Sequence, residues 1–113
     1  MIEIAVSILI LIGVLFTVTA AIGVLRLPDA YCRAHASGLS STLGLLSITL
    51  AAIVYFTARN GSLPISLLLV ALFIFFTGPI GAHMLTRAAY FIGIKQHDGK
   101  AIDEMADYIP PRD

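Results

Sequence analysis

The chain has 113 residues, of which 58% are hydrophobic and 12% charged, with a mean hydropathy of +0.95 and a formal net charge of zero. Soluble domains carry about twice this charged fraction, so the composition excludes a soluble globular domain and indicates an integral membrane protein. The balanced charge excludes a basic nucleic-acid-binding face, and the single cysteine, Cys32, excludes an internal disulfide or a cysteine-only metal cage.

Residues 4–25 are the first predicted transmembrane helix, because they form an uncharged run of 22 residues. At about 1.5 Å per residue this run crosses a hydrocarbon core of about 30 Å. A signal peptide is the competing interpretation. It fails because residues 1–3 lack a basic stretch and the apolar run exceeds the roughly 7–15 residues of such a leader.

Two rows of small residues predict close helix packing on the first and second spans, since small side chains let membrane helices approach each other. The first row repeats every four residues and consists of Gly13, Thr17 and Ala21. The second row is mildly polar and consists of Ser40, Gly44, Ser47 and Ala51. We therefore expect the first two spans to pack through these faces.

A polar stretch at residues 26–38 separates the first two apolar runs. Pro28 disfavours continuation of the first helix but suits the first turn of a new one, so a short interfacial helix is predicted over residues 28–36. Asp29 and Arg33 lie four residues apart, with the acid first, which favours an ion pair. Ser-Gly at residues 37–38 is the predicted joint before the second span.

The remaining chain predicts two further spans, at residues 39–58 and 63–85, joined by a polar turn. The expected fold class is thus all-α integral membrane, with three transmembrane helices and a short interfacial segment between the first two. Residues 1–94 form the predicted membrane domain, and residues 95–113 form a polar tail.

Lysine and arginine are distributed unequally about these spans. Only Arg59 lies on the side of the N-terminus. Six basic residues lie on the other side: Arg26, Arg33, Arg87, Lys95, Lys100 and Arg112. The positive-inside rule then predicts a cytoplasmic 26–38 segment and tail, with the N-terminus outside.

No Asp, Glu, Lys or Arg lies in the middle of a predicted span, so the chain lacks the intramembrane charge that a self-sufficient proton exchanger uses. The polar features of the third span are Thr77, Gly78, Pro79 and His83. Pro79 leaves the Phe75 carbonyl without its usual amide donor. This turn predicts either a cation or water route or a packing kink satisfied by neighbouring helices.

His35 and His83 are predicted at the same membrane surface, which keeps open a second class of function. Two imidazoles facing each other across a pocket would ligate a haem. A small haem-bearing membrane anchor of a respiratory oxidoreductase is therefore the alternative. Arg87, one turn after His83, is most simply a residue that anchors the helix at the headgroups.

Two patches carry a family resemblance: residues 26–36 (RLPDAYCRAHA) with 42–44 (TLG), and residues 77–90 (TGPIGAHMLTRAAY). Together they resemble the G-type subunit of the multi-subunit Mrp-type (Mnh/Pha) monovalent cation/proton antiporters, over essentially the whole three-span region. Members of that family commonly carry a lysine where this chain has Leu39, so a basic contact there is not expected here.

The resemblance implies an accessory membrane subunit of a sodium (or other monovalent cation)/proton antiporter in a prokaryotic cell membrane, not an enzyme, without a cofactor or bound metal. It implies large proton-channel-like subunits and other small subunits as partners, besides the lipid bilayer, and no nucleic acid. The cation-route or kink hypothesis concerns Phe75, Thr77, Gly78, Pro79 and His83. The surface motif assigned to partner contacts comprises Arg26, Pro28, Asp29, Tyr31, Arg33, His35, Thr42 and Arg87.

Overall fold

A computed structural model describes residues 1–95 and residue 102, and these contain only helices and short connections. The helices are α1 (Ile2–Arg26), α2 (Ala30–Leu39), a π-helical segment (Ser40–Gly44), α3 (Leu45–Asn60) and α4 (Ile65–Ile92). Apart from residues 95 and 102, the predicted polar tail lies outside the described residues.

Three helical stretches are long and apolar enough to cross a membrane: Ile2–Arg26, Ala30–Asn60 and Ile65–Ile92. The all-α membrane fold class with three spans is therefore confirmed. The short segment after the first span is α2, but it continues into the second span without a break, so the joint predicted at residues 37–38 is wrong. A methyl group at Gly38 would meet nothing within 4 Å, and this glycine lies inside a helix without breaking it.

The helices form a single layer, with the second span in the centre. Among the described residues, α1 and α4 each pack against the second span but not against each other. The molecule measures 61 × 26 × 17 Å. Because the outer helices α1 and α4 lie on either side of the second span without contacting each other, the described helices form a layer and not a closed three-helix bundle.

Few side chains are buried in this layer. The buried hydrophobic residues in the described part of the chain are Val6, Ala20, Ala36, Ala51 and Ile53. None of the residues of α4 is buried. Such exposure suits a membrane protein, because lipid tails or neighbouring apolar helices replace water around the exposed side chains.

The packed face of α1 is defined by Val6, Gly13 and Ala20, which are buried at intervals of seven residues. The predicted row is correct at Gly13 and at Thr17, whose hydroxyl lies against Gly44 of the second span, but Ala21 is exposed and its neighbour Ala20 is buried. The interval of seven follows the neighbouring helix better than an interval of four, since seven residues complete nearly two full turns.

The π-helical segment changes which face of the second span is buried. The amide of Leu45 bonds to the Ser40 carbonyl, five residues back. This wider turn accommodates one extra residue, so the faces before and after it are offset by about 100° relative to a regular helix. Of the predicted second row, Gly44 and Ala51 are buried, whereas Ser40 and Ser47 are half-buried and Thr49 is buried instead.

Candidate functional site

The stretch around Pro79 on α4 contacts the second span where α4 crosses the π-helical segment. A methyl group added to Gly78 would lie 2.9 Å from Ser41 Oγ and 3.6 Å from Thr42 Cγ2. The missing side chain at Gly78 therefore lets the α4 backbone rest directly on the Ser41 hydroxyl. This contact places the turn that contains Pro79 beside the centre of the molecule.

The opposite side of the same segment packs against α1 with equal closeness. A methyl group at Gly44 would lie 2.6 Å from Thr17 Oγ1, and one at Gly13 would lie 2.8 Å from the Gly44 carbonyl oxygen and 2.6 Å from Ile48 Cγ1. Backbone approaches this tight are possible because glycine has no Cβ atom to keep the helices apart. The π-helical segment is thus held between α1 and α4, and we call this contact region the central crossing.

The hydroxyl groups of the central crossing donate to backbone carbonyls within their own helices. Thr42 and Ser41 both donate to the Gly38 carbonyl, at 2.6 and 3.1 Å, and Thr17 donates to the Gly13 carbonyl at 2.8 Å. Bonds of this kind satisfy a polar side chain in an apolar setting and often bend a helix. The crossing therefore offers only neutral oxygen atoms.

The α2 helix makes a second long-range contact at one end of the molecule, with the residue that follows the end of α4. The Tyr31 hydroxyl donates to the Ile94 carbonyl at 2.9 Å, which joins α2 to the residue that follows the end of α4. Gly93 ends α4 with φ of 88°, a left-handed conformation that glycine adopts without strain. Tyr31 therefore fixes the point where the chain leaves the helical layer.

The turn between α1 and α2 is built by its charged residues. Asp29 is 8% exposed and caps α2, accepting a hydrogen bond from the Tyr31 amide at 3.0 Å. The Arg33 Nε donates to the Leu27 carbonyl at 2.6 Å, which ties α2 back to the end of α1. The i,i+4 spacing predicted an ion pair between Asp29 and Arg33, and it did not predict these hydrogen bonds to the backbone.

An open groove of about 690 Å³ lies between the last third of α1 and α2. Its lining is mostly apolar and includes several residues of the predicted surface motif: Thr19, Ala20, Gly23, Leu27, Pro28, Asp29, Tyr31, Cys32, His35, Ala36 and Leu39. The helices touch beside it, since a methyl group at Gly23 would lie 2.9 Å from the Ala36 Cβ.

The residues of the hypothetical cation route do not form one cluster. Gly78 faces the second span, whereas Phe75, Thr77, Pro79 and His83 are exposed on α4. The helix continues through Pro79 to Ile92. These four exposed residues therefore do not wall an internal channel within the described part of this chain.

The other predicted surface residues do not all lie in one place. Arg26 and His35 are exposed, and Thr42 belongs to the central crossing. The Arg87 guanidinium lies 5.6 Å from the centre of the Phe91 ring, a cation–π contact within the last turns of α4. Within residues 1–95 and 102, no three His, Cys, Asp or Glu side chains come close enough to hold a metal ion.

The two histidines of the haem hypothesis lie on different elements. His35 lines the groove between α1 and α2, and His83 lies on α4, which contributes nothing to that lining. A shared axial-ligand pocket for these two imidazoles is therefore not formed by the groove. The geometry gives the haem-anchor alternative no support.

Sequence reasoning missed the central crossing. Three consecutive hydroxyl residues at 40–42, followed by Gly44, could have indicated it. Hydroxyl side chains that bond to the backbone compete with the regular helix. The contact of Tyr31 with Ile94 has no signal in the sequence, because it joins residues 63 positions apart.

Comparisons with known proteins agree over most of the chain. Residues 9–90 match the model of the family PhaG_MnhG_YufB, described as a Na+/H+ antiporter subunit. The G1 subunit of the Na(+)/H(+) antiporter from Staphylococcus aureus strain JH9 is 40% identical over 100 residues, which cover 88% of this chain and 85% of that protein. The proteins from strains Newman and N315 match equally.

Two solved structures contain chains of the same fold. One belongs to the Mrp complex from Dietzia sp. DQ12-45-1b, with a TM-score of 0.78 and 25% identity over 91% of both chains. The other belongs to the membrane-bound sulfane sulfur reductase, an archaeal respiratory membrane complex. It has a TM-score of 0.80 and 30% identity, and covers 91% of this chain and 94% of that chain.

Proposed function

Because the chain belongs to the PhaG_MnhG_YufB family of Na+/H+ antiporter subunits, we propose that it is an accessory subunit that supports assembly of a multi-subunit antiporter. The observation that carries this proposal is the single layer of helices. Among the described residues the two outer helices do not contact each other and so enclose no path between them, which means that an ion path needs a wall from another subunit.

The missing intramembrane charge supports the same conclusion. No Asp, Glu, Lys or Arg lies in the middle of the three spans, so a proton has no charged side chain to occupy at mid-membrane in this subunit. Proton transfer then belongs to large proton-channel-like subunits of the complex, and sodium or another monovalent cation is the exchanged ion. The transport is secondary active, driven by the gradient of the counter-ion, and other small subunits and lipid cover the remaining faces.

We expect vesicles that contain only this chain to show no sodium-driven proton movement, for the two reasons just given. The measurement is the internal pH of proteoliposomes, reported by a pH-sensitive dye after sodium is added outside, with the whole complex as the positive control. Loss of exchange in cells that lack the chain, together with loss of assembled complex, is the expected result in membranes. Exchange by the isolated chain at the rate of the complex would overturn the accessory role.

We propose that the α1–α2 turn and the end of α4 face the cytoplasm in a prokaryotic cell membrane, with the N-terminus outside. The bias of six basic residues against one supports this orientation. In a Cys32→Ser background, a cysteine at Asn60 should react with a membrane-impermeant thiol reagent in intact cells. A cysteine at Lys95 should react only after the membrane is opened. The reverse labelling pattern would invert the topology.

We further propose that the turn around Pro79 borders the cation route, with Thr77 and the Phe75 carbonyl as oxygen ligands and His83 at its cytoplasmic end. The exposure of these residues supports a route shared with a neighbouring subunit, since none of them is covered by this chain's own helices. Contact between Gly78 and Ser41 would hold the turn in place.

A further inference from the structure

We propose that the groove between α1 and α2 is a binding site for an anionic phospholipid. The acyl chain would lie along the apolar lining, and the phosphate would lie at the α1–α2 turn beside Arg33 and Arg26. This site is separate from the Pro79 turn and does not depend on the transport role.

The groove has the polarity gradient that a phospholipid requires. Its deep end is lined by Ala20, Ala36 and Leu39, and its outer end by Leu27 and Pro28 at the turn. From residue 19 to residue 27, α1 rises about 12 Å at 1.5 Å per residue, so the groove runs from within the hydrocarbon region to the membrane surface. An acyl chain fits the first environment and a headgroup fits the second.

Two arginines lie next to lining residues of the outer end, although neither of them lines the groove itself. Arg33 Nε is 2.6 Å from the Leu27 carbonyl, and Leu27 lines the groove, so this guanidinium is fixed at its rim. An arginine has five N–H groups, and four remain on the Nη atoms for phosphate oxygens. Arg26 is exposed in the last turn of α1, one residue before Leu27.

The charge balance favours an anion even though an acidic side chain lines the groove. Asp29 is 8% exposed, and its carboxylate is engaged as the cap of α2. Two arginines against one buried carboxylate leave the turn positive, with His35 as a further donor on the lining. Basic pockets between membrane helices at the cytoplasmic surface bind anionic lipid headgroups in this way.

The experiment uses the sole cysteine position as a probe of the groove. The complex would be assembled with benzoylphenylalanine in place of Cys32, which lines the groove and is exposed. After irradiation in native membranes, intact mass spectrometry of the chain should show an adduct of phosphatidylglycerol or cardiolipin. The same amino acid in place of Asn60, at the other membrane surface, is the matched control and should show no preference for these lipids.

Removal of the basic groups tests the proposed phosphate contact. Arg26→Gln and Arg33→Gln should each lower the anionic-lipid adduct about fivefold, whereas Arg59→Gln on the opposite side should leave it unchanged. The Arg26 side chain makes no hydrogen bond with the described residues, so its substitution tests the charge without removing a contact of the fold. Cross-links from position 32 to a protein partner, or lipid adducts that follow bulk abundance and ignore both substitutions, would overturn the proposal.

Discussion

Replacement of Gly44 by alanine is expected to destabilise the subunit and lower the amount of assembled antiporter. The new methyl group would lie 2.6 Å from Thr17 Oγ1, inside van der Waals contact, and 3.3 Å from the Gly13 carbonyl. Overpacking of this kind costs about 1–3 kcal/mol in free energy of unfolding. Native gel electrophoresis of mild-detergent extracts measures the assembled fraction, and a thermal melt of the purified complex measures its stability.

A second substitution distinguishes overpacking from general damage. Thr17→Ala removes the Oγ1 atom that the new methyl group meets, so the double variant should regain much of the lost assembly. Gly38→Ala is the matched control, since a methyl group there meets nothing within 4 Å and alanine favours the helix. Normal assembly of Gly44→Ala, or no rescue by Thr17→Ala, would contradict the close packing of α1 on the π-helical segment.

The three spans were predictable because they depend on local composition. An apolar run of about 20 residues must form a helix in lipid, where unpaired backbone groups are costly. Helix ends were less predictable: α4 continues to Ile92, seven residues past the predicted span, because residues 86–92 remain compatible with helix while they leave the hydrocarbon region. Hydropathy reports the membrane boundary, not the end of the helix.

The π-helical segment shows where local reasoning ends. Ser-Ser-Thr at residues 40–42 weakens the regular helix, but a wider turn forms only where tertiary contacts stabilise it. Those contacts come from Thr17 and Gly78, on two other helices. The second predicted row of small residues assumed a regular helix and could therefore not cross this segment correctly.

The same distinction applies to the candidate site. Residues 26–44 and 77–90 are unusual in the sequence itself, and the fold brings these stretches together at Gly78 with Ser41 and near Tyr31 with Ile94. The backbone partners of Asp29 and Arg33 depend on the turn geometry. Spacing alone pairs charged side chains and cannot identify a carbonyl as the partner.

Pro79→Ala is expected to reduce sodium-dependent exchange about fivefold while the complex still assembles. Alanine would supply the missing amide donor to the Phe75 carbonyl, and one such hydrogen bond contributes about 1 kcal/mol. The carbonyl would then be less available to a passing cation. Assembly should persist because Pro79 is exposed and alanine fits helix geometry.

Pro64→Ala at the start of the same helix is the matched control for Pro79→Ala. Pro64 precedes the first turn of α4. An amide restored there would find no helical carbonyl four residues earlier to bond with, so both assembly and exchange should be unchanged. Exchange rate and assembled complex must be measured on the same membranes, because a packing kink predicts that the two fall in proportion. If exchange per assembled complex stays normal in Pro79→Ala, the Phe75 carbonyl takes no part in transport and the turn serves only to seat α4 on the second span.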